Sequence, residues 1–246
     1  MRKEKDSLGE KDIENVYYGI HTARALENFN IKNKRVNEEL IKAIALIKIA
    51  AAEANKKAGK LDENIANAIK EAANDLIVGN YIDAFMLPSI QGGAGTSTNM
   101  CINEVIANIA LEKMGQSKGD YHIINPLDHV NHSQSTNDVY PTAVKIASIK
   151  LLRELLDETM ALQQELQNKE KEFSNVLKIG RTQFQDAVPL TLGQEFGAYA
   201  EAISRDRWRI YKIEERIRRV NIGGTAIGTG VGASGKYRYY VTEELQ

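Results

Sequence analysis

The stretch Gln91–Asn108, QGGAGTSTNMCINEVIAN, decides how the chain is read. Gly92, Gly93 and Gly95 are followed at once by Thr96, Ser97, Thr98 and Asn99. Behind them Cys101, Ile102, Val105, Ile106, Ile109 and Ala110 recur at the spacing of one helix face. Glycine lets the backbone bend and admits close neighbours. Thr, Ser and Asn side chains accept hydrogen bonds from the free N–H groups of a first helical turn. The segment reads as a glycine loop entering a helix from about Thr98 to Met114, with Gly115 just beyond. Hydroxyls at a helix N-terminus, where the macrodipole favours negative charge, suit a carboxylate or a phosphate. An ordinary capped helix accounts for the same residues about equally well, because local patterns of this kind are common.

Working outward, the upstream chain reads as two further helices. Leu40, Ile44, Ile47, Ala51 and Ala54 give helical spacing to Val36–Lys57, and Gly59 stops it. Asp62 is placed to cap a second helix that runs to about Val78 through Ile65, Ile69, Ala72 and Leu76. Residues 1–35 read as irregular, with a short extended piece at Val16–Gly19 and a helical turn within Thr22–Phe29. Downstream, Ser117–Asn137 reads as a polar loop. It carries His122, His129 and His132, three of the four histidines. Their spacing admits metal ligation, but with no cysteine and few acids nearby they read as loop histidines, and no metal is expected.

Val139–Phe173 and Leu192–Val220 read as long amphipathic helices, separated by residues 174–191, which break the pattern. The second carries several arginines interleaved with acids. Surface or inter-helix ion pairs account for that mixture better than a nucleic-acid face. Two antiparallel helices cannot cover apolar stripes this wide, so the faces need further helices, from this chain or from other subunits. Asn221–Gly235 is again glycine-rich, and YYVTEELQ at the end begins another helix. The class is mainly α.

Composition narrows the function. The chain has 246 residues, enough for a sizeable core in one large domain or two smaller ones. Lys and Arg number 32 against 33 Asp and Glu, so no net charge draws it to nucleic acid or an anionic membrane. Its one cysteine, Cys101, sits on an apolar pattern as a small buried hydrophobe and suits a reducing compartment, hence the cytoplasm. No run approaches the length of a membrane span, and MRKEKDSLGEKD lacks the apolar core of a signal peptide.

Two more polar clusters resemble the first. His132–Thr142, HSQSTNDVYPT, brings Ser133, Ser135, Thr136 and Asn137 before a helix start. Gly180–Gln194, GRTQFQDAVPLTLGQ, brings Arg181, Thr182, Gln183, Gln185 and Asp186 before another. None holds a clear nucleophile–base pair, and there is no GxxxxGK[ST], CxxC or HExxH. Such loops suit holding a small, multiply charged anion by hydrogen bonds.

GGAGTSTNM, SQSTNDVYPTA, GRTQFQDAVPLTLGQEF and GGTAIGTG, in this order, resemble the shared segments of the aspartase/fumarase superfamily of lyases. The opening SLGEKDIENVYYGIHTARALENF is similar to the aspartase branch more than to the fumarase branch. The resemblance implies an N-terminal lyase domain over 1–137, followed over 138–246 by the first long helices of an incomplete bundle domain. It implies a homotetramer in which each site draws loops from three subunits, with a small dicarboxylate, L-aspartate or fumarate, as substrate and no cofactor. Thr96, Ser135 and Thr136 would hold the substrate β-carboxylate. Asn137 and Gln183 would lie near the amino group, and Thr182 near the α-carboxylate. The family's base is a serine on a loop reading GSSxMPxKxNP. No such segment occurs here, so the chain reads as an N-terminal fragment, catalytically incomplete by itself. Gln183 favours expulsion of ammonia over hydroxide, because an amide cannot deliver a proton to a poor leaving group. Fumarase, lyases acting on argininosuccinate or adenylosuccinate, and a non-catalytic helical assembly module are the competing readings.

Overall fold

The computed structural model describes residues 1–31 and 34–246. Lys32 and Asn33, inside the stretch read as irregular, lie outside the described residues. Contacts divide the chain into two units, Met1–Ala147 with Val220–Gln246, and Ser148–Arg219.

The first unit opens with structure where the sequence reads as irregular. Strands β1 (Arg2–Asp6) and β2 (Gly9–Ile13) form an antiparallel hairpin in register Arg2↔Ile13 to Asp6↔Gly9. Its residues are almost all charged, so apolar alternation gives no sign of it. Side chains hold it instead: Arg24 donates to Asp6 at 2.8 and 3.0 Å and to the Gly9 carbonyl at 3.1 Å. Arg24 sits on α1 (Ile20–Asn28), whose N-terminus has no cap of its own. Glu104 serves in its place, accepting from the N–H groups of Gly19 (2.9 Å), His21 (2.8 Å) and Thr22 (3.1 Å) and from the Thr22 hydroxyl (2.6 Å). Burial pushes the Glu104 carboxyl above its ordinary range, against the pull of those bonds.

Helices α2 (Glu38–Lys57) and α3 (Glu63–Ile77) form where the spacing places them. Asn37 caps α2 through the Glu39 N–H, and Asp62 caps α3 through the N–H groups of Asn64 and Ile65. They pack through small residues, Ala51 and Ala54 of one helix and Ala66, Ala72 and Ala73 of the other being buried. Helix α4 (Thr96–Lys113) runs through the core, with Ile102, Val105, Ile106 and Ile109 fully buried. Cys101 is buried on it, and its thiol is pushed up to about 12 by desolvation.

The start of α4 departs from expectation. The helix begins at Thr96, with Gly95 at the cap position in the left-handed region and no hydroxyl cap. Gln91 reaches forward from the loop, its Oε1 accepting from the Thr98 N–H at 3.0 Å and the Thr98 hydroxyl at 3.1 Å. Within the stretch read as a loop, Pro126–Val130 winds one π-helical turn capped by Asn125. Helix α5 (Thr136–Glu172) starts a few residues earlier than expected and runs into the second unit. Helix α7 (Gly235–Glu244), capped by Ser234, packs on α2, and Lys57 pairs with Glu244.

The second unit holds the rest of α5, strands β3 (Leu177–Thr182) and β4 (Gln185–Thr191), and α6 (Leu192–Ile217). The break read at 174–191 is an antiparallel hairpin. Its turn residues, Gln183 and Phe184, have φ of 49° and 60°, a conformation usually signalled by Asn-Gly. The helices run antiparallel: Arg153 pairs with Glu214 at 2.8 Å, Arg207 donates to Gln163 at 2.6 Å, and the Phe173 and Phe196 rings stack at 5.7 Å. Arg153 and Arg218 together hold the Glu214 carboxyl down at about 2. Leu155, Leu162, Trp208 and Tyr211 stay exposed, so this hairpin of helices leaves much of its apolar face uncovered. Among the described residues, no helix is long and apolar enough to cross a membrane.

Candidate active site

A cleft of about 450 Å³ in the first unit collects two of the three polar clusters. One wall is the first turn of α4, with Thr96, Asn99 and Met100; a second is the loop of Asn131, Ser133, Gln134, Ser135 and Thr136. The third is the glycine-rich return, with Thr225, Ala226, Val231 and Gly232.

Asp138 locks two of these walls together. It is 1% exposed; Oδ1 accepts from the Ser135 N–H at 2.9 Å, while Oδ2 accepts from Gly223 at 3.1 Å and Thr225 at 2.8 Å. One turn on, the Thr142 hydroxyl donates to the Asp138 carbonyl and accepts from the N–H groups of Asn221 and Ile222, both at 3.0 Å. Buried backbone donors need partners, so the glycine segment is held against the start of α5 by this acid and this hydroxyl. Asn137 adds a third tie, its amide donating to the Ala226 carbonyl at 2.7 Å.

The floor is set by α2 and α4. Asn99 donates through Nδ2 to Asn131 Oδ1 at 3.2 Å and to Thr136 Oγ1 at 3.1 Å. Lys48, fully buried on α2, donates to Asn131 Oδ1 and Gln134 Oε1, each at 2.9 Å. Ser133, at φ 60°, donates to Asn55 Oδ1 at 2.8 Å, and Asn55 donates to the His132 carbonyl at 3.0 Å. His129 and His132 serve the π-helical turn: His129 Nδ1 accepts from the Asn125 N–H, and His132 Nδ1 lies 3.0 Å from the Asp128 carbonyl.

Thr96, Ser135 and Thr136 thus share one cleft although Thr96 comes from a separate stretch of sequence. Asn137, next in the chain to Thr136, is not among the residues that line the cleft, and its amide is engaged with the Ala226 carbonyl. Thr182 and Gln183 belong to the second unit, at the tip of the β3–β4 hairpin, Thr182 in register with Gln185. Sequence reasoning assigned no role in the site to Lys48, Asn131, Asp138 or Thr225, and read Asn99 only as part of a helix cap. Lys48 does leave a trace, a lone cation between Ile44, Ile47 and Ala51 on the apolar stripe. The cleft lining has hydroxyls and amides but no titratable side chain. It can hold an anion and stabilise charge that grows on it, but it supplies no base.

Thr225 is strained. A β-branched residue at φ 55° with a buried hydroxyl that has no partner combines two unfavourable features. Thr225→Gly is expected to relieve about 1 kcal/mol and to raise the thermal midpoint by about 2–4 °C. A lower midpoint in a melting experiment would show that the threonine contributes stability instead.

A family model described as a lyase matches residues 10–246. The chain belongs to this lyase family. Aspartate ammonia-lyases of a Bacillus species and of Bacillus subtilis are 51% and 50% identical over 100% and 99% of the chain, which covers 53% and 52% of each. That of Helicobacter pylori is 49% identical over the whole chain, covering 53% of it. The lyase chain therefore spans about half the length of the curated relatives it matches. A cobalt-bound fumarate lyase:delta crystallin from Brucella melitensis superimposes with a TM-score of 0.96 at 48% identity, over 99% of this chain and 54% of that one. A class II fumarase from Schistosoma mansoni does so with a TM-score of 0.95 at 35% identity, over 99% and 52%. The mainly α lyase fold, which here includes two small hairpins, is thereby established for this chain.

Proposed function

We propose that the full-length protein carrying this lyase chain deaminates L-aspartate to fumarate and ammonia. The observation that carries the reading is the cleft of Thr96, Ser135 and Thr136 at the starts of two helices, in a chain about half identical to aspartate ammonia-lyases along its length. Removing a proton from C3 of aspartate places a second negative charge on the neighbouring carboxylate. Hydroxyl donors aimed at those oxygens stabilise this aci-carboxylate without titrating. Thr96, Ser135 and Thr136 hold the β-carboxylate, Asn137 and Gln183 serve the amino group, and Thr182 serves the α-carboxylate. The ammonium leaves with its proton already attached, so an amide at Gln183 suffices. The base comes from residues outside the cleft lining.

Fumarate absorbance followed with L-aspartate and then with L-malate tests this. The expected outcome is turnover of aspartate with little of malate; equal or faster use of malate makes the protein a hydratase, the reading favoured by its likeness to a class II fumarase.

We further propose a homotetrameric, cytoplasmic enzyme, with the exposed apolar residues of α5 and α6 covered by other subunits. The domain division that fits this assembly is a lyase domain to residue 137 and bundle helices from 138 onward. The chain of 246 residues by itself is expected to self-associate through those faces. A monodisperse monomer in light scattering would contradict that.

A further inference from the structure

Lys48 is a buried ammonium with neutral partners. Its side chain is 0% exposed, and its two acceptors, Asn131 Oδ1 and Gln134 Oε1, are amide oxygens. The charged groups on neighbouring elements are engaged elsewhere. Glu104 of α4 caps α1, Glu244 of α7 pairs with Lys57, and Lys70 of α3 pairs with Glu53, while on the loop that carries its acceptors His129 takes the Asn125 N–H and His132 lies against the Asp128 carbonyl. Asp138, at the start of α5, is the acid whose charge reaches Lys48, and its oxygens already accept from three backbone N–H groups. A buried charge without an opposite charge in contact is costly.

Both of its partners line the cleft. Asn131 Oδ1, turned toward Lys48, also accepts from Asn99 Nδ2, and that same nitrogen donates to Thr136 Oγ1. An oxygen that accepts from an amide keeps its own proton free to donate. The ammonium therefore fixes the direction of two amides, and through them leaves the Thr136 hydroxyl as a donor.

We propose that Lys48 is a positioning residue of the anion cleft: through Asn131 and Asn99 it sets Thr136 as a hydrogen-bond donor, and its buried charge is the counter-charge for the bound dicarboxylate. This rests on the reading of the site as one that binds a dicarboxylate. Desolvation lowers the Lys48 pKa to about 7, with Asp138 pulling it back up. The free protein near pH 7.5 then holds a mixture of charged and neutral Lys48. An arriving dianion favours the charged form, so binding takes up a proton. Affinity holds below pH 7, where Lys48 is already charged, and weakens as the pH climbs above it.

The test uses the full-length protein, with succinate as an unreactive dicarboxylate. Titration calorimetry at pH 7.5 in HEPES and in Tris, buffers of different ionisation enthalpy, should report net proton uptake in the wild type and none in Lys48→Met. The variant should keep or raise its thermal midpoint, because a buried ammonium is replaced by an apolar chain of similar length. Its kcat/KM for L-aspartate should fall about 100-fold, the scale of one lost preorganised donor, and should lose the decline above pH 7. A merely structural lysine would give the reverse, a lower midpoint with an unchanged pH profile, and would overturn the proposal. If Lys48→Met does not fold, the wild-type calorimetry decides, and absence of proton uptake from pH 7 to 9 overturns it. If the wild type ignores L-aspartate yet takes up a proton with succinate, the assignment of the reaction fails while the role of Lys48 stands.

Discussion

Thr96→Ala in the full-length protein is expected to lower kcat for L-aspartate by about two to three orders of magnitude, on the order of 3 kcal/mol of barrier. Thr96 is exposed at the first position of α4 and lines the cleft beside Ser135 and Thr136. Its hydroxyl does not cap the helix, since the loop residue Gln91 serves the first turn through Thr98. Removing it leaves no buried group unpaired, so stability should change by no more than about 0.5 kcal/mol. Steady-state kinetics together with a melting curve check the two halves. Unchanged aspartate turnover in a normally folded variant would remove Thr96 from the proposed site.

Gly95→Ala should do the opposite and strike the fold first. Gly95 is at φ 83°, where a side chain is strained, and a Cβ there would stand 2.2 Å from Cδ2 and 2.3 Å from Cε2 of the Tyr140 ring. The ring, on α5, closes over the entrance of α4, so either it moves or the helix start does. Left-handed strain and overpacking together amount to about 2–4 kcal/mol, and the midpoint should drop by about 10 °C. Gly59→Ala is the control, because Gly59 has a similar φ of 68° but nothing within 4 Å of the added atom. Equal midpoints for the two variants would show that Tyr140 yields freely.

The helices were legible in the sequence because their signals are local. Ile44, Ile47, Ala51 and Ala54 repeat at helical spacing, and Asp62 caps the helix that follows it. The long α5 and α6 follow from their apolar stripes in the same way. The clusters around Thr96 and Ser135–Thr136 stood out because hydroxyls gather at helix starts. What the tertiary structure alone decided are the partnerships between distant residues. The β1–β2 hairpin is held by Arg24, and the β3–β4 turn is made by Gln183 and Phe184 rather than by glycine. Asp138 draws Ser135 and the glycine segment to one carboxylate, although Gly223 and Thr225 lie far along the chain. Lys48 meets Asn131 and Gln134 across a similar distance. Periodicity reports which face of an element is buried. It says nothing about which buried donor meets which acceptor, because that depends on how the elements pack, and here that pairing builds the cleft.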